Sequence, residues 1–138
     1  MTHQILHDPD GHLAAELPLD PQARTHHETL AQRVLGWGDD VLLSARDLEL
    51  IALLLTGHAR CVRDDVRQRS EDPRLNRGVQ GQLAALADDA DRQLNATAPP
   101  VGEFGYTRGR ARLVLSLYAG LDLAEEAGAA SPRVTAHP

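Results

Sequence analysis

Residues 44–70 read SARDLELIALLLTGHARCVRDDVRQRS, and this stretch decides the fold of the 138-residue chain. The Ser44 hydroxyl oxygen can accept the N–H of Asp47, and the Asp47 carboxylate can accept the N–H of Ser44, which is typical of a helix start. Apolar residues then recur three or four positions apart, on one face of a helix. They are Leu48, Ile51, Leu55, Ala59, Val62 and Val66. The pattern predicts one long central helix.

A second set of leucines lies on the opposite side of the first half of this helix. Leu50, Leu53 and Leu54 belong to it, since successive helical residues are rotated by about 100°. We therefore expect the first half of the central helix to be covered on most sides. The second half has one apolar edge and should be buried along that edge only.

The preceding segment predicts a first helix. Asp20 can cap it, and Pro21 suits its first position because the proline lacks the N–H that has no partner there. Gly36 can end it. The connection around Trp37 is short, which predicts that the first and central helices lie antiparallel, with Trp37 against the core.

Two more helices are predicted after the central one. Asp72 and Pro73 repeat the start signal, and apolar residues follow at helical spacing as far as Leu94. Residues 96–106 contain two prolines and two glycines, which predicts a loop. A fourth helix begins at Thr107 or soon after and is apolar enough to be central too.

These segments predict an all-α fold, a four-helix antiparallel bundle over residues 20–128. Residues 1–18 contain Asp8-Pro9-Asp10-Gly11 between two short apolar runs, which predicts an N-terminal β-hairpin or arm. Residues 129–138 are expected to form a disordered tail.

Composition limits the possible functions. The net charge of −6 argues against general nucleic-acid binding. Cys61 is the only cysteine, so the chain cannot form an internal disulfide and suits a reducing compartment. All fourteen basic residues are arginine, which indicates a GC-rich, actinomycete-like source. Without a signal peptide or a membrane-spanning run, the chain is expected to be cytoplasmic.

His58 and Cys61 are one helical turn apart and could face one zinc ion. A tetrahedral site needs more ligands, and only His26 or His27 offers one. We expect a buried thiol beside a half-buried histidine, with no metal and no cofactor. Adjacent helical residues point about 100° apart, so His27 and Glu28 do not form a base and carboxylate pair. No phosphate-binding loop or nucleophile motif occurs.

Three arginines, Arg108, Arg110 and Arg112, crowd the start of the fourth helix, where the helix dipole disfavours cations. In an up-and-down bundle, Asp47 and Glu49 lie beside them and neutralise them. If the 96–106 loop instead crosses the bundle, they form an anion site with other arginines. Those are Arg60, Arg63, Arg67, Arg74 and Arg77. We expect the first arrangement, in which reversing Asp47 and Arg110 together restores part of the lost stability.

Residues 43–57, LSARDLELIALLLTG, resemble the first scaffold helix of LuxR-type helix-turn-helix domains. Leu43, Arg46, Leu48, Glu49, Leu53 and Gly57 carry the match. The resemblance implies DNA binding. The following segment lacks the family's TVxxH recognition sequence, and its acidic residues would face phosphates unfavourably.

A second resemblance covers residues 44–126 and concerns layout. The order of LTGH at 55–58, a Leu/Ala-rich third helix at 81–94, a Pro/Gly loop and an Arg/Leu-rich helix at 110–123 looks like small actinomycete proteins grouped under natural-product biosynthesis. This resemblance implies a helical accessory or ligand-binding role and transfers no active-site residue.

The combined hypothesis is a non-enzymatic helical binding or regulatory module that forms a homodimer and binds a protein partner or a small anionic ligand. The candidate ligand-binding residues are His58, Cys61, Arg108, Arg110, Arg112 and Tyr118. The alternatives are a small cofactor-independent enzyme with a pocket around His58 and a DNA-binding regulator. A deep pocket at His58 would favour the enzyme, and an exposed Leu/Val patch would favour the partner module.

Overall fold

The computed structural model describes residues 21–38 and 41–135, with side chains for residues 22–38 and 41–129. This part of the chain contains α1 (Pro21–Gly36), α2 (Ala45–Ser70), α3 (Arg77–Asn95) and α4 (Phe104–Thr135). Four helices and no strand occur in these residues, which confirms the all-α class. The predicted hairpin at 1–18 lies outside the described residues.

The two most apolar helices, α2 and α4, lie side by side and run in the same direction. Near their starts, the Thr107 hydroxyl oxygen lies 3.2 Å from the Leu48 carbonyl oxygen. Toward their ends, Arg69 lies 3.8 Å from Glu125. The 96–103 connection therefore returns to the start of α2 and does not carry α4 to the other end of the bundle.

The other two helices flank this central pair. Arg63 of α2 pairs with Asp91 at 2.6 Å, and Arg67, one turn later, pairs with the earlier Asp88 at 2.8 Å, so α3 runs antiparallel to α2. On the other side, Arg24 near the start of α1 lies 2.9 Å from Asp122, and the carbonyl of Trp37, just past the end of α1, accepts a hydrogen bond from Arg108 near the start of α4, so α1 runs antiparallel to α4. Each helix is thus antiparallel to the next one along the chain, as the short connections predict.

The core follows the apolar stripe of α2 and about half the circumference of α4. Leu55 and Val62 of α2 and Leu117 of α4 have no exposed surface, and Tyr118 is 1% exposed. Trp37 packs against the core and meets Phe104 edge-on, with ring centroids 6.0 Å apart. The fourth helix is central, as predicted.

The second set of leucines on α2 is exposed, so the expectation that the first half of α2 is covered on most sides is wrong. The reason is the side of α2 that the other helices cover. Asp64 and Gln68 lie on the same side as Leu50 and Leu53, and they are exposed too, although α3 pairs with this half of α2 through Arg63 and Asp91 at 2.6 Å. No described helix therefore covers this side of α2.

Three helix boundaries differ from the prediction. Helix α3 begins at Arg77, because the Asn76 side chain accepts the N–H of Val79 at 2.9 Å and caps the helix. Asp72 instead closes a turn, in which its side chain accepts the N–H of Arg74.

Helix α4 begins at Phe104, three residues before Thr107, and continues to Thr135. The residues expected to start a tail at 129 are therefore helical as far as 135. No described helix has the length and apolar character that a membrane span requires.

Candidate functional site

A cluster of titratable side chains joins α1, α2 and α4 in the middle of the bundle. The Nδ1 of His27 lies 2.7 Å from the Tyr118 hydroxyl oxygen. The rings of His27 and His58 stack with their centroids 3.8 Å apart. Arg24 covers the Tyr118 ring with its guanidinium carbon 4.7 Å from the centroid. Three helices are thus connected through one polar cluster.

Burial favours the uncharged forms of His58 and of its neighbour Cys61. It lowers the pKa of His58 to about 4, with a further lowering from His27 and His26. It also raises the pKa of the Cys61 thiol to about 11, assisted by Asp65 and Asp64. The buried Nδ1 of His58 has no hydrogen-bond partner among the described residues.

The same cluster surrounds Tyr118. Burial raises the pKa of the Tyr118 hydroxyl above its ordinary value, and the nearby Cys61 raises this pKa further. A thiol or phenol must lose its proton to act as a nucleophile, and a histidine must bind one to act as a general acid. The environment opposes all three reactions at neutral pH. Within the described ranges, no three His, Cys, Asp or Glu side chains come close enough together to hold a metal ion.

The structure separates the remaining sequence-predicted site residues from this cluster. The Nε of Arg110, a residue with 5% exposure, donates to the Thr56 hydroxyl at 3.1 Å. Its guanidinium carbon lies 4.7 Å from the centroid of the Tyr106 ring. The sequence-based expectation was neutralisation of the arginines by Asp47 and Glu49, and Arg110 instead contacts a hydroxyl and an aromatic ring.

The other two arginines have separate surroundings. Arg108 donates to the Trp37 carbonyl, just past the end of α1, where the helix dipole favours a cation. Arg112 is exposed. Because α4 starts beside the start of α2, all three lie away from Arg63 and Arg67, and the alternative anion site is not assembled.

A cavity of about 270 Å³ lies beside the first half of α2, where α3 no longer covers it. The 98–103 segment forms its other wall, held by a hydrogen bond from the Gly102 N–H to the Glu49 carboxylate at 3.2 Å. Apolar side chains of α2 and the loop prolines provide most of the lining. They include Leu48, Leu50, Leu53, Pro99 and Pro100. His58 is not among the residues that line this cavity.

An apolar surface adjoins the cavity. Leu50, Leu53 and Leu54, which we call the leucine face, are 48%, 68% and 56% exposed. Val101, on the loop beside it, is 57% exposed. Contiguous exposed leucines on one helix face are typical of a surface that binds another protein.

Sequence reasoning chose His58, Cys61, Tyr118 and the three arginines of α4 as candidate ligand-binding residues and did not include the leucine face. The sequence analysis identified the three leucines as a second apolar set opposite the main stripe. It predicted that this second side of α2 is buried as well. Their exposure depends on which side of α2 the other helices cover. No protein-family model, curated protein or solved structure matches the chain.

Proposed function

We propose that this chain is a non-enzymatic helical binding module that holds an amphipathic helix of a protein partner against the leucine face of α2. The observation that carries the proposal is the exposure of Leu50, Leu53 and Leu54 on a well-formed helix beside an open cavity. Complete burial of an exposed leucine side chain contributes about 1.5–3 kcal/mol, and about half of each of these side chains is left to bury. Three of them can drive a specific association.

The shape of this region favours a helix as the bound element. Leu50, Leu53 and Leu54 are spaced as i, i+3 and i+4, which is the anchor spacing of helix pairs and of helices bound in grooves. The loop wall at Pro99 and Pro100 borders the groove on one side. A partner helix lying along α2 would contact this wall and the leucines together.

The enzyme alternative has weaker support. The buried cluster of His58, Cys61 and Tyr118 contains groups used in catalysis, but burial disfavours the thiolate of Cys61 and the phenolate of Tyr118, which are their nucleophilic forms. The cavity lies along the first half of α2, and its lining does not include them. For the DNA-binding alternative, the net charge of −6 stays unfavourable.

The proposal places the module in the cytoplasm, where a lone cysteine stays reduced. The resemblance to small actinomycete proteins of natural-product biosynthesis supports an accessory role in specialised metabolism. In such a role, the partner is a protein of that pathway and the chain itself catalyses no reaction.

Selection from a displayed library of amphipathic helices tests this function with a defined probe. We expect selected helices to bind the full chain with dissociation constants in about the micromolar range. Leu53→Asp should abolish their binding, and His58→Gln should leave it unchanged. If the selected helices bind both variants equally, or if only His58→Gln weakens them, the leucine face is not the binding surface.

A further inference from the structure

The leucine face is part of a longer seam along α2. Residues 46, 50, 53, 57, 60 and 64 alternate spacings of four and three, the pattern that keeps one side of a helix facing a partner helix in a coiled coil. Leu50 and Leu53 are exposed. A Cβ added at Gly57 would meet nothing within 4 Å, so the space over this glycine is open. The seam is therefore free of the bundle's own packing.

This seam is complementary to itself when reversed about Leu55. Arg46 and Asp64 lie nine positions on either side of Leu55, and Leu53 and Gly57 lie two positions on either side. In an antiparallel pair with its two-fold axis at this level, Arg46 faces the second copy's Asp64, and Leu53 faces its Gly57. The large side chain thus meets the smallest one, and opposite charges meet at each end.

A further charge pair supports the same alignment. Arg60 is a seam position that faces the second copy's Leu50, five positions on either side of Leu55. Glu49 lies just outside the seam on the same edge of α2 as Arg60, six positions from Leu55. Residues on the same edge of an antiparallel seam face each other across it, as in antiparallel coiled coils. Glu49 therefore comes near the second copy's Arg60. A parallel pair would instead place each charged residue against its own copy.

We infer that the helix bound on the leucine face is α2 of a second copy of this chain, packed antiparallel about a two-fold axis opposite Leu55. This inference rests on the proposed function, because it names the partner of the same surface. The charges present for such a pairing are accessible, since Arg46 is exposed and the Asp64 side chain is 45% exposed. Asp64 also pairs with Arg63 through one oxygen, which leaves the other carboxylate oxygen for the second copy.

The size of the surface sets the expected affinity. The seam spans about 27 Å of helix and buries less area than a standard interface of about 800 Å² per partner. We therefore expect a reversible dimer with a dissociation constant in about the micromolar range. Sedimentation equilibrium of the full chain from about 1 µM to about 1 mM covers this range.

The first test removes the apolar contact. Leu53→Asp should weaken dimerisation by about 100-fold, because a carboxylate would be buried against an apolar surface. Ala85→Asp, at an exposed position of α3, is the matched control and should leave the dissociation constant within about twofold. Both substitutions lie at exposed positions, and far-UV circular dichroism establishes that each variant is folded.

The second test uses the charges to read the orientation. Arg46→Asp alone and Asp64→Arg alone should each weaken the homodimer by about 10-fold, because two repulsive contacts replace two attractive ones. Mixed together, the two variants restore opposite charges at both ends of the seam. They should therefore form the heterodimer in preference to either homodimer, which native mass spectrometry resolves by mass.

The outcomes separate this inference from the proposed function. A wild-type chain that is monomeric up to about 1 mM, a dimer that Leu53→Asp leaves intact, or mixed charge variants that show no preference for the heterodimer would each overturn the two-fold pairing. In any of these cases, helices selected on the leucine face can still bind, and the proposed function then stands with a different partner.

Discussion

His27 of α1 and His58 of α2 stack their imidazole rings face to face, with a centroid distance of 3.8 Å and an interplanar angle of 16°. Two charged imidazoles at this distance would repel each other strongly. The stack therefore requires that His58 stay neutral, and its low pKa agrees with this arrangement. Acid should consequently act on the fold through this pair.

Acidification from pH 7 to pH 4 should destabilise the protein in part through His58. Its pKa is about 4 in the folded chain against 6.5 for the ordinary side chain, so the unfolded state binds the proton first as the pH falls. The stabilising contribution is complete above about pH 6.5 and is lost toward pH 4. Between pH 7 and pH 4, the free energy of unfolding measured in urea should fall by about 1–2 kcal/mol less in His58→Gln than in the wild-type protein. This figure allows for the partial exposure of His58. The exposed neighbour, His26→Gln, should keep the wild-type profile.

The Cys61 thiol should react slowly with alkylating agents in the native protein. With a pKa of about 11 against an ordinary 9.0, it has about 100-fold less thiolate at pH 8. Iodoacetamide labelling followed by mass spectrometry should therefore accelerate by at least this factor in urea. Equal rates in native and unfolded protein would show that Cys61 is not buried.

Leu55→Ala should lower the free energy of unfolding by about 2–5 kcal/mol, because Leu55 has no exposed surface and truncation leaves a cavity. Leu53→Ala, two residues away on the same helix and 68% exposed, should cost less than about 0.5 kcal/mol in the monomer. Urea unfolding below the dimer dissociation constant compares them. Similar losses for the two variants would mean that α2 is rotated relative to the described packing.

Thr56→Val should cost about 1–3 kcal/mol, because it removes the hydroxyl that accepts the Nε of the buried Arg110. The substitution keeps the side-chain shape, so lost packing contributes little. Adding Arg110→Met to this variant should cost less than Arg110→Met alone, and a double-mutant cycle measures the difference. Thr29→Val, at an exposed position of α1, is the control. Strict additivity would show that the Thr56–Arg110 bond has no role in stability.

Gly102→Ala should destabilise the fold by about 1–3 kcal/mol through a steric clash. A Cβ at this position would overlap the backbone carbonyl of Ala45, which cannot move without distorting the start of α2. Gly105→Ala is the control, since a Cβ there meets nothing within 4 Å and alanine favours the helix. Thermal unfolding should separate the two variants, and equal melting temperatures would contradict the close approach of the loop.

The sequence predicted the features that depend on neighbouring residues. Ser44 accepts the N–H of Asp47 at 3.0 Å as expected, and α1 spans the range from Pro21 to Gly36 that its terminal residues indicate. The start of α3 was wrong because two cap signals lie close together, and Asn76 takes the position for which Asp72 was expected. A choice between two local signals depends on how the turn packs.

The candidate sites were harder to predict, because they join residues far apart in the chain. His27 and Tyr118 are 91 positions apart, and no spacing rule indicates that their side chains share a hydrogen bond. Likewise, the partners of Arg110 were expected to be carboxylates, because charge is visible in a sequence and the position of the Tyr106 ring is not.

The sequence by itself determined four helices, their principal apolar stripes and most of their ends, since caps and periodicity involve residues within a few positions of each other. Only the tertiary structure decided which of the two apolar sides of α2 is covered. Leu55 and Leu53 are equally apolar in sequence, yet one is fully buried and the other is 68% exposed. The difference arises because burial depends on the placement of the neighbouring helices, which pack on the side of α2 that carries Leu55 and leave the leucine face open.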